Sequence, residues 1–325
     1  MENWFCAGVI RIALIHILLI YGTQQVNADP LTNTSKRPDG STIYWSIEHP
    51  SQSEPHGLFL IAQGSGCLPA IKNSSIQQAK KIAPNFAVLM VEKYGVTHHD
   101  SPEEPFKDCS QVYVANHTVE QRALDIVNII EEQKRSDWWN GQLVLLGGSE
   151  GGAVVARLVP RLHPDAAMIF SSGLGKSFAE VLKDLVPPDV VKEVDAKLAF
   201  ARANPNSGEV WGGNSIRWWA DVADRVPVND LLQSQSPVLL IHGTEDKSSP
   251  VSSARAARDA YASAGRCELS YWEYPGYDHF MTDSEGVNHR EQVFNRMAIW
   301  LESTLAEGAL GCKNDKIKNV YRGYR

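Results

Sequence analysis

The sequence predicts an α/β fold in which helices cover both faces of a mainly parallel sheet. Short apolar segments of strand type alternate along the chain with longer segments whose apolar residues recur at helical spacing. This alternation is typical of parallel sheets, because each parallel connection needs a crossover. The predicted strands are residues 42–48, 57–62, 86–92, 142–147, 166–170, 237–242 and 268–274, and the predicted helices are residues 74–83, 118–135, 150–162, 250–264 and 289–306.

The first 28 residues are predicted to be a signal peptide and not part of the fold. An apolar run at residues 12–20 follows Arg11, and residues 26–28 offer a small-residue cleavage site before Asp29. The run is shorter than the about 20 apolar residues that a membrane-spanning helix needs. Because the segment before it is weakly charged, an uncleaved membrane anchor remains the alternative. We expect cleavage near Ala28 and export, to a periplasm or to the outside of the cell.

Composition argues against nucleic-acid binding and against a bound cofactor. The formal net charge is −7 at pH 7, and no basic stripe lies in the expected domain, residues 29–312. The locally basic residues 313–325 are interpreted as a solvated tail. A glycine-rich loop at residues 63–67 lacks the Lys-Ser/Thr ending of a phosphate-binding loop. Three adjacent residues, 98–100 (His-His-Asp), cannot easily all point at one ion, so we expect no metal site there.

The segment from residue 118 illustrates a predicted core helix. Thr118 stands at the position of a helix-capping residue, and the apolar residues that follow recur at helical spacing up to Ile130. Nothing in this segment suggests chemistry of its own, so we expect it to pack on the sheet.

The pentapeptide GGSEG at residues 147–151 is the most informative motif of the chain. The apolar run 142–146 before it predicts a buried strand, and residues 152–158 after it predict the start of a helix. A G-x-S-x-G nucleophile elbow requires this context, since its sharp turn lifts the serine hydroxyl above the carboxyl end of a sheet. The outer glycines of the motif relieve crowding between strand and helix. Ser149 is therefore the candidate nucleophile.

No strand is predicted between residues 171 and 235, although the alternation of strands and helices would place the next strand there. A helical stretch at residues 177–203 and a tryptophan-rich segment fill this interval. An insertion after the sixth strand lies above the carboxyl ends of the strands, where open α/β folds bind ligands. We therefore predict a helical cap. Its tryptophans are expected to line an apolar acyl or aryl pocket, with a cap–domain interface as the alternative: Trp211, Trp218 and Trp219.

Two later motifs supply the partners that a serine nucleophile needs. The apolar run 237–242 is followed by a loop with Asp246, and residues 269–274 alternate like a strand before His279. An imidazole takes the proton of a serine hydroxyl, and a carboxylate orients that imidazole, so these residue types together suit acyl transfer. We predict the triad Ser149, Asp246 and His279. Other residues remain open for the two partner roles: Glu245 and Asp278 as the acid, and His242 as the base.

The three motifs in this order resemble the α/β-hydrolase superfamily, in which each triad residue follows a strand. The resemblance covers roughly residues 40–305, and the segments HGTED and YPGYDH are similar to those of secreted dienelactone hydrolases and prolyl-oligopeptidase catalytic domains. It implies the α/β-hydrolase fold. It also implies an oxyanion hole built by the backbone N–H of Glu150 and by one N–H from the loop after the third strand, that of Ser65 or Gly66.

Four cysteines remain after the predicted cleavage, and an even number in an exported protein suggests two disulfides. We expect Cys67–Cys109, which would tie down the glycine-rich loop, and Cys267–Cys312, which would fasten the C-terminus. The other pairings and four free thiols remain open.

The expected function is that of an exported serine hydrolase that cleaves a small-molecule ester, or a short peptide, through an acyl-enzyme. An ester is favoured because nothing resembles the β-propeller that gates prolyl oligopeptidases. Two alternatives remain. One is a peptidase, in which Glu92 and Glu150 attract a cationic or amino-terminal substrate. The other is a non-catalytic binding protein on a hydrolase fold.

Overall fold

The computed structural model describes residues 31–51 and 55–307, and an eight-stranded sheet lies at its centre. The predicted signal peptide and basic tail lie outside the described residues. The strands of the sheet are β1 Leu31–Lys36, β2 Thr42–Glu48, β3 His56–Ala62, β4 Ala87–Val91, β5 Trp139–Gly148, β6 Ala166–Phe170, β9 Val238–Gly243 and β10 Leu269–Tyr274, in the spatial order β1-β2-β4-β3-β5-β6-β9-β10.

In the spatial order given above, all strands from β4 to β10 are parallel to one another. Strand β2 forms antiparallel pairs with β1 and with β4. Strands β3 and β9, which both lie between two neighbouring strands, are buried at every residue. Burial on both faces explains why they stand out in the sequence as continuous apolar runs. The predicted α/β class with a mainly parallel sheet is confirmed.

Strand β1 was not predicted, because its sequence LTNTSK contains no apolar run. It lies at the edge of the sheet and is joined to β2 by a tight turn. In that turn the N–H of Arg37 donates to the carbonyl of Ser41, and Gly40 has a φ of +83°. Pairing with β2, and not side-chain burial, therefore makes this segment a strand.

Helices lie on both faces of the sheet, and the predicted ones end within a few residues of their expected limits. At the N-terminus of α3, the side chain of Thr118 accepts a hydrogen bond from the N–H of Gln121, as expected of a capping residue. The helices are α1 Ser74–Ala79, α2 Gln111–Asn116, α3 Val119–Gln133, α4 Glu150–Leu162, α5 Phe178–Leu185, α6 Val191–Ala203, α7 Ile216–Val222, α8 Val228–Leu231, α9 Val251–Ser263 and α10 Arg290–Glu307.

Two hydrophobic cores result, one on each face. Along β3, Leu58 and Leu60 belong to the core beneath α3 and α4, whereas Phe59 and Ile61 belong to the core beneath α10. Successive residues of a strand point to opposite faces, so one apolar run supplies both cores. Of the helices that the structure describes, none has the length and apolar character needed to cross a bilayer.

The segment 171–235 between β6 and β9, which we call the cap segment, contains α5 to α8 and a two-stranded hairpin of β7 (Val210–Trp211) and β8 (Asn214–Ser215). The predicted helical stretch 177–203 is divided in two, because Pro187 and Pro188 interrupt it. Arg157 of α4 holds the segment to the domain, since its Nη1 lies 2.6 Å from Asp221 Oδ1 in α7 and 3.0 Å from Glu120 Oε2 in α3.

Candidate active site

Ser149 lies on the sharp turn between β5 and α4 with a φ of +53° and a ψ of −123°. Such a backbone is strained for a residue with a side chain and persists only where its surroundings impose it. The surrounding backbone leaves no room for a side chain at either outer glycine of the motif. A Cβ on Gly147 would lie 2.1 Å from the carbonyl oxygen of Gly151, and a Cβ on Gly151 would lie 2.1 Å from the carbonyl oxygen of Ala62. The local geometry of the pentapeptide is that of a nucleophile elbow.

Asp246 and His279 meet at the same edge of the sheet, in the loops after the adjacent parallel strands β9 and β10. The Nδ1–H of His279 donates to Asp246 Oδ2 at 2.7 Å. The other carboxylate oxygen, Oδ1, accepts the N–H groups of Ser248 and Ser249, each at 2.8 Å. The carboxylate is thus fixed on both oxygens, and among the described residues the Nε2 of His279 has no hydrogen-bond partner.

The geometry disfavours the other candidates for the acid. The side chain of Glu245 is exposed, and Asp278 Oδ1 accepts the N–H groups of Phe280 and Thr282 within its own turn. Neither carboxylate contacts His279 in the described residues.

His242 is equally unsuited to act as the base. It is fully buried beneath Asp246, with its Nε2 2.6 Å from the carbonyl oxygen of Ser249 and 3.4 Å from Asp246 Oδ2. Burial lowers the pKa of His242, so the neutral imidazole donates Nε2–H to that carbonyl.

The loop 63–67 lies directly beside the elbow, since a Cβ on Gly64 would be 3.3 Å from the Cβ of Ser149. Among the described residues, the backbone N–H groups of Ser65, Gly66 and Glu150 have no hydrogen-bond partner. Glu150 is the first residue of α4, where helix geometry leaves N–H groups free and the helix dipole favours negative charge. These N–H groups lie on both sides of Ser149, at the positions that the sequence predicts for an oxyanion hole, and that role stays a prediction.

A buried ionic cluster beneath this loop was not predicted. The carboxylate of Glu150 contacts three basic side chains: Arg122 Nη1 at 2.9 Å, His117 Nε2 at 3.2 Å and Lys93 Nζ at 4.0 Å. We call these four residues the Glu150 cluster. Each is at most 4% exposed. They come from separate parts of the chain, so only the acidic residue directly after Ser149 hinted at the cluster.

The cluster shifts the ionisation of its members. Burial by itself would raise the pKa of Glu150, but His117, Lys93 and Arg122 together hold that pKa far below the ordinary 4.5. Burial, assisted by Arg122, lowers the pKa of Lys93 to about 7. Burial also lowers the pKa of His117, which leaves a neutral imidazole as donor to the carboxylate.

The cluster corrects one expectation about substrate binding. The sequence offers Glu92 and Glu150 as attractors for a cationic substrate, but both side chains are buried and paired with protein groups. The Glu92 carboxylate accepts the N–H of Ala70 at 2.9 and 3.0 Å and lies 3.6 Å from His98 Nδ1. Neither carboxylate is available to a substrate ammonium group.

A cavity of about 70 Å³ opens beside Ser149 and Ser65. The cap segment and Ala153 of α4 contribute its apolar wall, and serines from the domain and the cap segment contribute a polar wall. The apolar lining residues are Ala153, Leu174, Phe178, Val181 and Pro227, and the serines include Ser171, Ser172, Ser248, Ser249 and Ser253.

The expected tryptophan pocket is not what the structure shows, because Trp211, Trp218 and Trp219 are not among the residues that line this cavity. Trp218 and Trp219 are 3% and 5% exposed and pack edge-to-face against Phe178. The Trp219 Nε1–H donates to the carbonyl of Trp211 at 2.8 Å. Trp218 and Trp219 therefore pack against other residues of the cap segment within a core that also includes residues of α3 and α4. The alternative that the sequence left open was a cap–domain interface.

The disulfide Cys67–Cys109 is present in the structure. It fastens the loop 63–67 to the segment before α2, and the N–H of Cys67 donates to the carbonyl of Pro105 at 2.8 Å. Cys267 is also disulfide-bonded. Cys312 lies outside the described residues, so Cys267–Cys312 remains a prediction.

The loop that contains His98, His99 and Asp100 is held by hydrogen bonds within its own turn. The Asp100 carboxylate accepts the N–H and the hydroxyl of Thr97 at 2.8 and 3.0 Å. Within residues 31–51 and 55–307, no group of three or more His, Cys, Asp or Glu side chains is arranged to hold a metal ion.

Solved structures with the same architecture are α/β-hydrolases. Est1E from Butyrivibrio proteoclasticus has a TM-score of 0.57 at 14% identity, over 86% of this chain and 100% of its own. An esterase of Pyrococcus furiosus has a TM-score of 0.56 at 12% identity, over 84% and 90%. A puromycin-hydrolysing peptidase of Mycobacterium tuberculosis has a TM-score of 0.54 at 15% identity, over 85% of this chain but 39% of its own.

These similarities show that the chain has the α/β-hydrolase fold. No family model matches the sequence. At such identities the likeness extends to the fold alone, and the reaction has to be argued from the site.

Proposed function

We propose that this protein is a serine hydrolase that cleaves an ester bond through an acyl-enzyme. One observation carries the proposal: a serine on a strained elbow at the start of a helix, at the sheet edge where His279 is oriented by Asp246 at 2.7 Å. A non-catalytic binding protein has no need of a strained serine together with an oriented imidazole.

In the proposed reaction, Ser149 Oγ attacks the substrate carbonyl carbon while His279 Nε2 takes the hydroxyl proton. The imidazolium then gives that proton to the leaving oxygen, and water repeats the sequence to release the acid. Asp246 orients the imidazole and stabilises the imidazolium that forms. Within the described residues His279 makes no hydrogen bond to Ser149, so this contact has to close in the substrate complex, as is common for catalytic hydrogen bonds.

The negative charge that develops on the substrate oxygen would be stabilised by the backbone N–H groups of Glu150 and Ser65. Donors of this kind act strongly because they are already oriented when the charge appears, and losing one typically costs about 10²- to 10³-fold in kcat. The absence of hydrogen-bond partners at both N–H groups among the described residues supports this assignment.

The cavity and the buried acids favour a short acyl ester over an aminopeptidase substrate. A cavity of about 70 Å³ suits an acyl group of a few heavy atoms. Neither Glu92 nor Glu150 is free to bind a substrate ammonium group, because both carboxylates are buried and paired. A peptidase is the second candidate, because structures of the same fold include both esterases and peptidases. The cap segment is proposed to limit the size of the acyl group.

Export is part of the proposal. The disulfide Cys67–Cys109 supports it, since disulfides persist in oxidising compartments. N-terminal sequencing of protein recovered from outside the cytoplasm should give a start at or near Asp29. An intact N-terminus would instead favour the uncleaved anchor.

Labelling with a fluorophosphonate probe tests the serine hydrolase directly. The wild-type protein should be labelled at Ser149, and Ser149→Ala should not be labelled. A panel of p-nitrophenyl esters beside aminoacyl and dipeptidyl arylamides then separates the two candidate reactions. We expect turnover of acetyl to butyryl esters and little turnover of the arylamides. A folded wild-type protein that takes no label and cleaves nothing in the panel would favour the binding protein.

Trp219→Ala should lower stability and not alter acyl selectivity. Truncating a buried tryptophan typically costs about 3–5 kcal/mol of unfolding free energy, and Trp219 packs within the cap segment away from the cavity. Thermal unfolding and kcat/KM for a series of p-nitrophenyl esters measure both effects. The matched variant Phe178→Ala removes a side chain that lines the cavity. The larger cavity should favour longer acyl chains. If Trp219→Ala lowered kcat/KM only for long esters and left the melting temperature unchanged, the prediction of a tryptophan-lined pocket would be correct.

A further inference from the structure

The loop 63–67 turns three of its carbonyl groups towards the protein interior, where cationic side chains bind them. Arg122 Nη2 donates to the carbonyl of Gln63 at 2.8 Å. Lys93 Nζ donates to the carbonyls of both Gly64 and Gly66. Lys93 is 2% exposed, so it lies beneath the loop and cannot touch a substrate.

This arrangement determines the direction in which the N–H groups of the same peptide groups point. In a trans peptide the C=O and the N–H lie on opposite sides of the chain. The carbonyl of Gly64 and the N–H of Ser65 belong to one peptide group, so binding that carbonyl from below directs the N–H of Ser65 upwards, away from Lys93. The carbonyl of Gly66 is held in the same way, and its peptide partner, the N–H of Cys67, donates to Pro105.

The loop therefore needs a hydrogen-bond donor beneath it, at the position of the Lys93 ammonium group. Gly66 has a φ of +90°, a conformation that places its carbonyl and that of Gly64 around the same ammonium group. One compact group with three donors can bind both carbonyls and still face an acid, which a planar guanidinium or an amide could not do in the same space. Glu150, at 4.0 Å, offsets the buried charge.

We propose that Lys93 is a positioning residue for the oxyanion hole: by holding the carbonyls on both sides of Ser65, its side chain keeps the Ser65 N–H directed at the developing oxyanion. The inference rests on the proposed function and adds to it a group that acts through the backbone, without contact with the substrate. It also selects Ser65, and not Gly66, as the loop donor.

Lys93→Met tests the proposal, because methionine has a similar length but no donor. We expect kcat for the best p-nitrophenyl ester to fall by about 10²-fold, the cost of one oxyanion donor, with KM changed by less than about threefold. The affinity for an alkylboronic acid of the same chain length should fall by a similar factor, because its tetrahedral adduct with Ser149 places an oxygen in the hole. Lys93→Gln, which retains an N–H donor, should recover part of the kcat.

Arg37→Met is the matched control. Arg37 is also a buried cation that donates to a backbone carbonyl, that of Thr42 at 2.7 Å, but it lies in the β1–β2 turn. The Arg37→Met variant should be less stable than the wild-type protein, while its kcat and its affinity for the boronic acid stay at wild-type values.

Lys93 would be only structural if Lys93→Met lowered the melting temperature but kept kcat and boronic acid affinity. Failure of both Lys93 variants to fold would also overturn the proposal, since the residue would then serve the fold itself. Failure of the proposed function is a separate outcome, because the wild-type protein would then show no ester turnover and no fluorophosphonate label.

Discussion

Ser149→Ala is expected to lower kcat/KM for ester substrates by about 10⁴-fold or more while the melting temperature stays near that of the wild-type protein. The serine is the proposed attacking group, and an alanine can occupy the same strained backbone position. His279→Ala should cause a loss of similar size, because a nucleophile without its base is ineffective. Steady-state kinetics with p-nitrophenyl acetate, together with thermal unfolding of each variant, measure both quantities.

The double variant Ser149→Ala, His279→Ala distinguishes a catalytic unit from two independent effects. Residues that act in one step are non-additive, so the double variant should be no slower than either single variant. His99→Ala is the control, since His99 is exposed and its side chain lies outside the proposed site. Retention of more than a tenth of the wild-type turnover by Ser149→Ala would show that the elbow serine is not the nucleophile.

Glu150→Gln is expected to lower the free energy of unfolding by about 3–5 kcal/mol, the typical cost of removing one partner from a buried ion pair. The change preserves shape and the backbone N–H but leaves the cations Lys93 and Arg122 buried without their acid. Urea unfolding measures the loss. Glu104→Gln is the control, because its pair with Lys107 is exposed and should be worth less than about 1 kcal/mol.

The pH dependence of this difference checks its cause. The pKa of Glu150 in the folded protein lies far below the ordinary 4.5, so its charge stabilises the fold above about pH 5. As the pH falls below 4.5, the unfolded chain takes up the proton first and the stabilisation is lost. The wild-type protein and Glu150→Gln should therefore converge in stability under acid conditions. A constant difference at all pH values would indicate lost packing and not lost charge.

Several features of the site could be predicted because they depend on neighbouring residues along the chain. An elbow needs small residues at fixed distances from the serine, and the clash distances at Gly147 and Gly151 show why. Asp246 and His279 could be selected because each follows an apolar strand, and parallel strands end at a common edge. Competing candidates such as Asp278 and His242 could be set aside only once their hydrogen bonds were known.

The sequence by itself determined the α/β class and singled out Ser149, Asp246 and His279 as the candidate triad, because local periodicity and turn chemistry encode these features. Only the tertiary structure decided which distant side chains share one buried space. It brought Lys93, His117 and Arg122 around Glu150, and it packed Trp219 inside the cap segment and away from the cavity. Such contacts depend on how separate helices and loops close over the sheet, and no spacing along the chain records them.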